Sequence, residues 1–148
     1  MNRPTHVIMH CSDSTWGNAR IVDQWHKERG FSMIGYHWVI LNPFETYREL
    51  KDGHGNTAND GRIEQGRPEE ALGAHCLGYN ASSIGICLIG TNGQFTSAQM
   101  ATARKLVMSV CRRYGIPVKN VLGHCETPQN GGKTCPTLDM EAFRASLG

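Results

Sequence analysis

The sequence predicts one α/β domain over residues 1–148, with a central mixed β-sheet of about five strands flanked by helices. Two observations carry this prediction. Short runs rich in apolar and β-branched residues alternate with segments of helical periodicity, in the order β-α-β-β-β-α-β-α. One run, residues 83–90, is almost continuously apolar, which is typical of a central strand covered on both faces. A chain of this length, without internal repeats or an interdomain linker, fits one domain.

The first strand and helix are predicted from alternation and capping. Residues 6–10 alternate in side-chain direction as a short strand does, and the polar residues after them favour a turn. Asn18 is a suitable N-cap for a helix that runs to about Arg29. Gly30 follows at the position where helices commonly end.

A hairpin-like pair of strands is predicted next, separated by a long loop. Residues 35–40 are rich in aromatic and β-branched side chains, and residues 62–66 are expected to pair back onto them. The stretch 42–61 is polar and rich in Gly and Asn, so we interpret it as a surface loop with a short helix near residues 45–51.

The second half of the chain contains the longest predicted helix. Thr96 and Gln99 form a capping-box pattern, and apolar residues continue at helical spacing to about Tyr114. That stripe consists of Met100, Ala103, Val107, Val110 and Tyr114. Gly115 ends the helix, residues 118–122 predict another strand, and residues 138–146 a final short helix.

Composition excludes several classes of protein. The chain is 39% hydrophobic with a net charge of +2, which excludes intrinsic disorder. No run approaches the ~18 apolar residues of a membrane span, so no membrane insertion is expected. Scattered Lys and Arg form no basic stripe, so we expect no nucleic-acid partner. The first residues lack the apolar run of a secretory signal peptide, which predicts synthesis in the cytoplasm.

Six cysteines and seven histidines are the unusual part of the composition. No two cysteines form a Cys-x-x-Cys pair, which argues against a zinc ribbon or a thioredoxin-type motif. In a chain without an export signal, cysteines more often serve as buried thiols, metal ligands or nucleophiles than as disulfides. A metal site assembled from distant segments is therefore one alternative, and buried thiols are the other.

Three residues fit such a metal site. His10 and His124 lie at the ends of predicted strands, and Cys135 follows in a Gly-rich loop. Two imidazoles and a thiolate leave one tetrahedral position of zinc for water, which is the catalytic arrangement. Taken alone, a histidine near a strand end is more often a hydrogen-bonded surface residue, and a single cysteine is more often part of the core. Lys133, two residues before Cys135, and Tyr36 are candidate oxyanion donors, or else a solvated lysine and a packing tyrosine.

Several short motifs occur together and in order along the chain. They are Met9-His10-Cys11-Ser12, Gln24-Trp25-His26-Lys27, Gly35-Tyr36-His37, Gly73-Ala74-His75, Gly78-Tyr79-Asn80, Ser83-Ile84-Gly85 and Lys133-Thr134-Cys135-Pro136. This set resembles the zinc-dependent N-acetylmuramoyl-L-alanine amidases, which include phage amidase lysozymes and are related to peptidoglycan recognition proteins. The resemblance extends from about Val7 to Phe143.

The resemblance implies a role for each matched residue. It implies that His10, His124 and Cys135 bind one zinc ion in a surface cleft. Tyr36 and Lys133 would be the catalytic side chains that stabilise the oxyanion or transfer the proton.

Two further positions receive roles beside the metal, and two segments depart from the family pattern. The resemblance implies that His75 binds substrate near the metal. Glu126 matches an acidic position that follows the second histidine ligand, where it would either orient an imidazole or be an exposed loop residue. One departing segment is the interval from His124 to Cys135, which is slightly longer and affects the position expected for Lys133. Residues 42–59 are longer than the corresponding hairpin of the coliphage enzymes, which predicts that this loop covers or extends the cleft.

The implied reaction is hydrolysis of the amide between N-acetylmuramic acid and L-alanine in peptidoglycan or muropeptides. The expected protein is a monomeric phage or prophage endolysin that reaches periplasmic peptidoglycan after release. One alternative is a non-catalytic peptidoglycan-binding or regulatory module of the same fold. Another is a cysteine hydrolase that uses Cys11, Cys76 or Cys125.

Overall fold

A five-stranded mixed sheet forms the centre of the computed structural model, which describes residues 1–148. The strands are β1 (His6–Cys11), β2 (Trp38–Ile40), β3 (Ile63–Gln65), β4 (Ser83–Leu88) and β5 (Val121–Gly123). Their spatial order is β3-β2-β4-β1-β5. β4 pairs in parallel with β1 and β2, β1 in parallel with β5, and β3 runs antiparallel to β2. The predicted fold class, the central position of β4 and the return of β3 onto β2 are all confirmed.

Four helices accompany the sheet. They are α1 (Ala19–Glu28), α2 (Tyr47–Asp52), α3 (Ser97–Tyr114) and α4 (Met140–Ala145). Their ends are set as the sequence predicts: the Asn18 side chain accepts the N–H of Ile21, and Thr96 and Gln99 complete a capping box. Gly115 ends α3 at φ 67°, the left-handed region that favours glycine. No helix combines the length and the apolar character that crossing a membrane requires.

Two local predictions are wrong, because β2 and β5 both start later in the chain than expected. β2 starts only at Trp38, since Gly35 and Tyr36 bond to the segments of residues 74 and 67 instead. Residues 118–120 form a 3-10 turn before β5, closed by the bond from Asn120 N–H to the Pro117 carbonyl. α3 ends at Tyr114 as expected, where the side chain is 38% exposed and its hydroxyl donates to Glu69.

The core lies on the two faces of the sheet. One face packs against α3 and α4 through a cluster of aliphatic residues that includes Val7, Met9, Ile84, Ile86, Leu88, Ala103, Val107 and Val110. The smaller cluster on the opposite face contains Val39, Leu41 and Ile89 and packs against Val22 of α1. Because side chains alternate along a strand, His10 of β1 points to this second face. A cleft of about 720 Å³ opens over His10.

The long loop at residues 42–59 packs away from that cleft. Its Phe44 carbonyl accepts the N–H of Gly17, and the Asn42 side chain donates to the Thr15 carbonyl. α2 lies within the loop, near the predicted short helix. None of the residues 42–59 lines the cleft, so the prediction that this loop covers or extends the cleft is wrong.

Candidate active site

Three potential metal ligands meet at the floor of the cleft. His10, His124 and Cys135 each offer one ligand atom, and these atoms lie within 4.8 Å of one another. Nδ1 of His10 is 3.8 Å from Sγ of Cys135, and the two imidazole centroids are 4.6 Å apart. The three residues are separated by 114 and 11 positions in sequence, and the fold brings all three together.

The parallel sheet explains how the two histidines meet. β1 and β5 are neighbours, and Met9 lies opposite Gly123 in their register. His10 follows Met9 in β1, and His124 directly follows Gly123 at the end of β5. Both imidazoles therefore lie side by side at the carboxyl edge of the sheet.

Cys135 is held against this edge by backbone hydrogen bonds. The N–H of Cys11 donates to Sγ of Cys135 at 3.3 Å, and the N–H of Cys125 donates to the Cys135 carbonyl at 2.9 Å. The loop after His124 is thus attached both to the end of β1 and to its own start. This places the sulfur between the two histidines without help from helix or strand structure.

The donor set and its spacing fit a zinc ion. Two imidazole nitrogens and one sulfur are ligands that zinc prefers, and three protein ligands leave a fourth tetrahedral position toward the cleft. With Zn–N and Zn–S distances of ~2.1 and ~2.3 Å, tetrahedral ligands lie about 3.6 Å apart. The observed 3.8 Å between His10 Nδ1 and Cys135 Sγ is close to that value.

The pKa shifts favour the metal-binding protonation state of the two histidines but not that of the cysteine. Burial lowers the pKa of His10 well below its ordinary value, and it also lowers the pKa of His124, so both imidazoles are neutral. The hydrogen bond with the Cys11 thiol, together with burial, raises the pKa of Cys135. Cys135 is therefore a thiol that must lose its proton when a metal binds.

Tyr36 and Lys133 both line the cleft around the three potential ligands. The Tyr36 ring centroid is 4.8 Å from that of His10. Burial raises the pKa of Tyr36 well above its ordinary value, so its hydroxyl stays protonated and can donate. Lys133 is exposed and forms no ion pair, and its charge contributes to the lowered pKa of His10 and His124.

His75 lies behind His10 rather than free in the cleft. It is 8% exposed, and its Nδ1 is 2.8 Å from Nε2 of His10. Burial, followed by the charges of His37 and His124, lowers the pKa of His75 to about 3. The imidazole touches the cleft at its edge, but its hydrogen bonds run to His10 and to Ser83 of β4.

Glu126 does not orient an imidazole, so that alternative of the prediction is wrong. One of its oxygens accepts the N–H of Gly123 at 2.8 Å, and the carboxylate pairs with both Nη atoms of Arg144 at 2.7 and 3.0 Å. Hydrogen bonds from Arg144 lower the pKa of Glu126. The carboxylate therefore ties the turn that carries His124 to α4.

Sequence reasoning missed the polar residues that support the site. Thr127 donates to the His124 carbonyl at 2.7 Å, and the Asn130 amide donates to Thr127 at 2.7 Å, both within the protein interior. The sequence positions of Thr127 and Asn130 form no recognisable motif that would predict this role. Gly85 did carry a signal, because an isolated glycine in an apolar strand indicates close approach of another group. A Cβ at Gly85 would lie 2.7 Å from the His75 ring.

Of the remaining cysteines and histidines, Cys11, Cys76 and His26 also line the cleft. All six cysteines are free thiols. The Nδ1 atoms of His26 and His37 accept backbone N–H groups from Gly35 and Gly85, as expected for hydrogen-bonded histidines.

Comparison with known proteins identifies the family. A family model described as N-acetylmuramoyl-L-alanine amidase matches residues 1–138. The chain belongs to this family. It is an enzyme, and the amidase activity of its family is the hydrolysis of an amide bond in peptidoglycan.

Individual relatives agree with this assignment. The amidase chain is 33% identical over 147 residues to the endolysin of Escherichia phage T7, across 93% of this chain and 83% of that protein. It superposes on the N-acetylmuramoyl-L-alanine amidase LysC from Clostridium intestinale with a TM-score of 0.79 and 28% identity, covering 99% and 86% of the two chains. A Drosophila PGRP-LB mutant in complex with tracheal cytotoxin gives a TM-score of 0.70 at 26% identity, over 95% and 80%.

Proposed function

We propose that this amidase is a zinc-dependent endolysin that cleaves the bond between N-acetylmuramic acid and L-alanine in peptidoglycan or muropeptides. His10, His124 and Cys135 would bind one zinc ion per chain, and residues 1–148 would act as a single, monomeric catalytic domain. The observation that carries the proposal is the cluster of these three ligand atoms, within 4.8 Å of one another, at the floor of a cleft.

Two cleft residues supply the remaining chemistry. When bound, zinc polarises the amide carbonyl and lowers the pKa of a water molecule. The Lys133 ammonium, which has no acidic partner, would stabilise the negative charge that develops on the carbonyl oxygen. The Tyr36 hydroxyl, protonated because burial raises its pKa, would donate a hydrogen bond to the same oxygen or a proton to the leaving nitrogen.

A single carboxylate lines the cleft. Asp13 is the one acidic residue that lines the cleft, and it accepts a hydrogen bond from Thr91 at 2.9 Å. The proton that must reach the leaving nitrogen would come from Tyr36, from Lys133 or from the attacking water.

The charge of the cleft suits an anionic substrate. Arg29 and Lys133 both line it, and neither forms an ion pair. The guanidinium of Arg29 lies 5.6 Å from the centroid of the Phe31 ring, another cleft residue. The two cations leave the cleft with net positive potential, which attracts carboxylates of a peptide.

The endolysin assignment rests on the phage relatives. We propose that the protein is made in the cytoplasm of an infected or lysogenic bacterium and acts on periplasmic peptidoglycan after release, as the similarity to phage endolysins suggests.

Digestion of purified peptidoglycan, with and without a chelator, tests the proposed function. We expect new amino-terminal L-alanine groups in the zinc-loaded sample, their loss after chelation and their return when zinc is restored. Cys135→Ala should abolish the release, whereas Cys111→Ala, which changes a half-buried thiol on α3, should not.

Two outcomes would overturn the proposal. Binding of peptidoglycan without release of amino groups would identify the chain as a binding module. Activity that survives chelation but is lost on thiol alkylation would identify a cysteine hydrolase.

A further inference from the structure

A chain of hydrogen bonds runs from His10 away from the cleft and ends on the protein backbone. Nε2 of His10 is 2.8 Å from Nδ1 of His75. Nε2 of His75 is 3.3 Å from Oγ of Ser83, and that hydroxyl donates to the Tyr79 carbonyl at 2.8 Å. The exposed fractions of these residues are 1% for His10, 8% for His75 and 0% for Ser83.

The Tyr79 carbonyl determines which group donates in each hydrogen bond of this chain. A carbonyl oxygen only accepts, so the one proton of the Ser83 hydroxyl is used on Tyr79. Ser83 Oγ can then only accept from His75, which requires a proton on Nε2 of His75. In a neutral imidazole with Nε2 protonated, Nδ1 is an acceptor. His10 must therefore donate its own Nε2–H to His75.

The surroundings of His75 keep that imidazole neutral. No carboxylate contacts it, and its ring neighbours are His10 and His37, at centroid distances of 4.9 and 5.7 Å. His37 donates from Nε2 to the Ala71 carbonyl and accepts the Gly85 N–H at Nδ1, so it offers His75 no charge partner.

We propose that His75 and Ser83 are positioning residues that fix the tautomer of His10, so that its Nδ1 carries a lone pair toward the metal. This inference rests on the proposed zinc site and extends it inward by two side chains. Nδ1 is the His10 atom that lies 3.8 Å from Cys135 Sγ. The opposite tautomer would place a proton on that atom and block coordination. His75 would thus act through His10 rather than by binding substrate.

Nitrogen NMR of the zinc-loaded protein, labelled with ¹⁵N-histidine, tests the proton arrangement directly. We expect His10 to show a metal-bound Nδ1 and a protonated Nε2, and His75 to show a protonated Nε2 and a bare Nδ1. Coordination through His10 Nε2, or a proton on His75 Nδ1, would overturn the proposal. This measurement needs no substitution, so it does not depend on whether a variant folds.

Zinc affinity, measured by competition with a chelator, tests the contribution of Ser83. Hydrogen-bond partners of ligating histidines typically contribute ~10–100-fold in metal affinity. Ser83→Ala should lose about 10-fold, the lower end of that range, because Ser83 acts through His75. Ser82→Ala is the matched control, since the adjacent Ser82 side chain makes no hydrogen bond and should leave affinity unchanged.

Equal affinity in the two serine variants would refute the role of Ser83. Zinc affinity and tautomer are read without peptidoglycan, so this failure is distinguishable from failure of the proposed function. A protein that binds zinc with the expected tautomers, yet releases no amino groups, would overturn the amidase proposal and leave this one standing.

Discussion

Gly85→Ala should destabilise the protein and weaken zinc binding together. A Cβ at this position would lie 2.7 Å from Cγ, Cδ2 and Nε2 of the His75 ring. Gly73 also lies close to this ring, since a Cβ there would lie 2.5 Å from Cδ2. The added methyl group must therefore displace His75 from its hydrogen bond with His10.

The expected change in the free energy of unfolding combines two destabilising contributions and one stabilising contribution. Overpacking costs ~1–3 kcal/mol. A buried hydrogen-bonding group left without its partner costs a further ~1–3 kcal/mol. Replacing glycine restricts the unfolded chain and returns ~0.4–1 kcal/mol. The free energy of unfolding should therefore fall by about 1–5 kcal/mol, and zinc affinity should fall ~10–100-fold because His10 loses its outer partner.

Urea unfolding of the metal-free protein and chelator competition measure the two effects separately. Gly131→Ala is the control, because nothing lies within 4 Å of a Cβ there. If Gly85→Ala unfolds within ~0.5 kcal/mol of that control and binds zinc equally well, then His75 is not confined as the structure indicates.

Three further predictions concern catalysis, proton release and acid stability. Lys133→Ala should keep zinc but lose ~10²–10³-fold in turnover, and near-normal turnover would exclude Lys133 as an oxyanion donor. Zinc binding at pH 6 should release about one proton, measured by calorimetry in buffers of different ionisation enthalpy. Burial lowers the pKa of both histidine ligands, which favours their neutral form, and the hydrogen bond with Cys135 lowers the pKa of Cys11 to about 7. The proton released is therefore expected to come from the Cys135 thiol. Release of two or more protons would contradict this account. The third prediction concerns Glu69. Burial raises the pKa of this carboxyl group, but hydrogen bonds, led by the one from Arg113, outweigh burial and lower the pKa from 4.5 to about 2. The resulting stabilisation is present above pH 4.5 and is lost as the pH falls toward 2. Glu69→Gln should cost ~1.5–3 kcal/mol at pH 7 and little near pH 2, and a cost independent of pH would contradict the ion pair.

Local structure was predictable where the signal lies within a few residues. The capping box at Thr96 and Gln99 and the terminating Gly115 set the ends of α3 from the chain itself. Tyr114 shows the limit of this reasoning. It continues the apolar spacing of α3, yet its hydroxyl lies beside Glu69, a partner 45 positions away, and it remains partly exposed.

The candidate site shows the same contrast between what local sequence predicts and what distant contacts decide. The residue types and positions of His10, His124 and Cys135 pointed to a metal, and the fold places their ligand atoms together. Glu126 and His75 were assigned from their nearness in sequence or in motif to those ligands. The structure turns the Glu126 carboxylate to Arg144. His75 lines the cleft and also forms a hydrogen bond with His10.

The sequence by itself determined the α/β class, the order of elements and the ligand types, because periodicity, caps and ligand chemistry are properties of neighbouring residues. Only the tertiary structure decided which groups touch. The alignment of β1 with β5 sets His10 beside His124, and the missing side chain of Gly85 admits the His75 ring behind them. Such contacts join positions 65 to 125 residues apart, so their geometry depends on how the whole sheet packs.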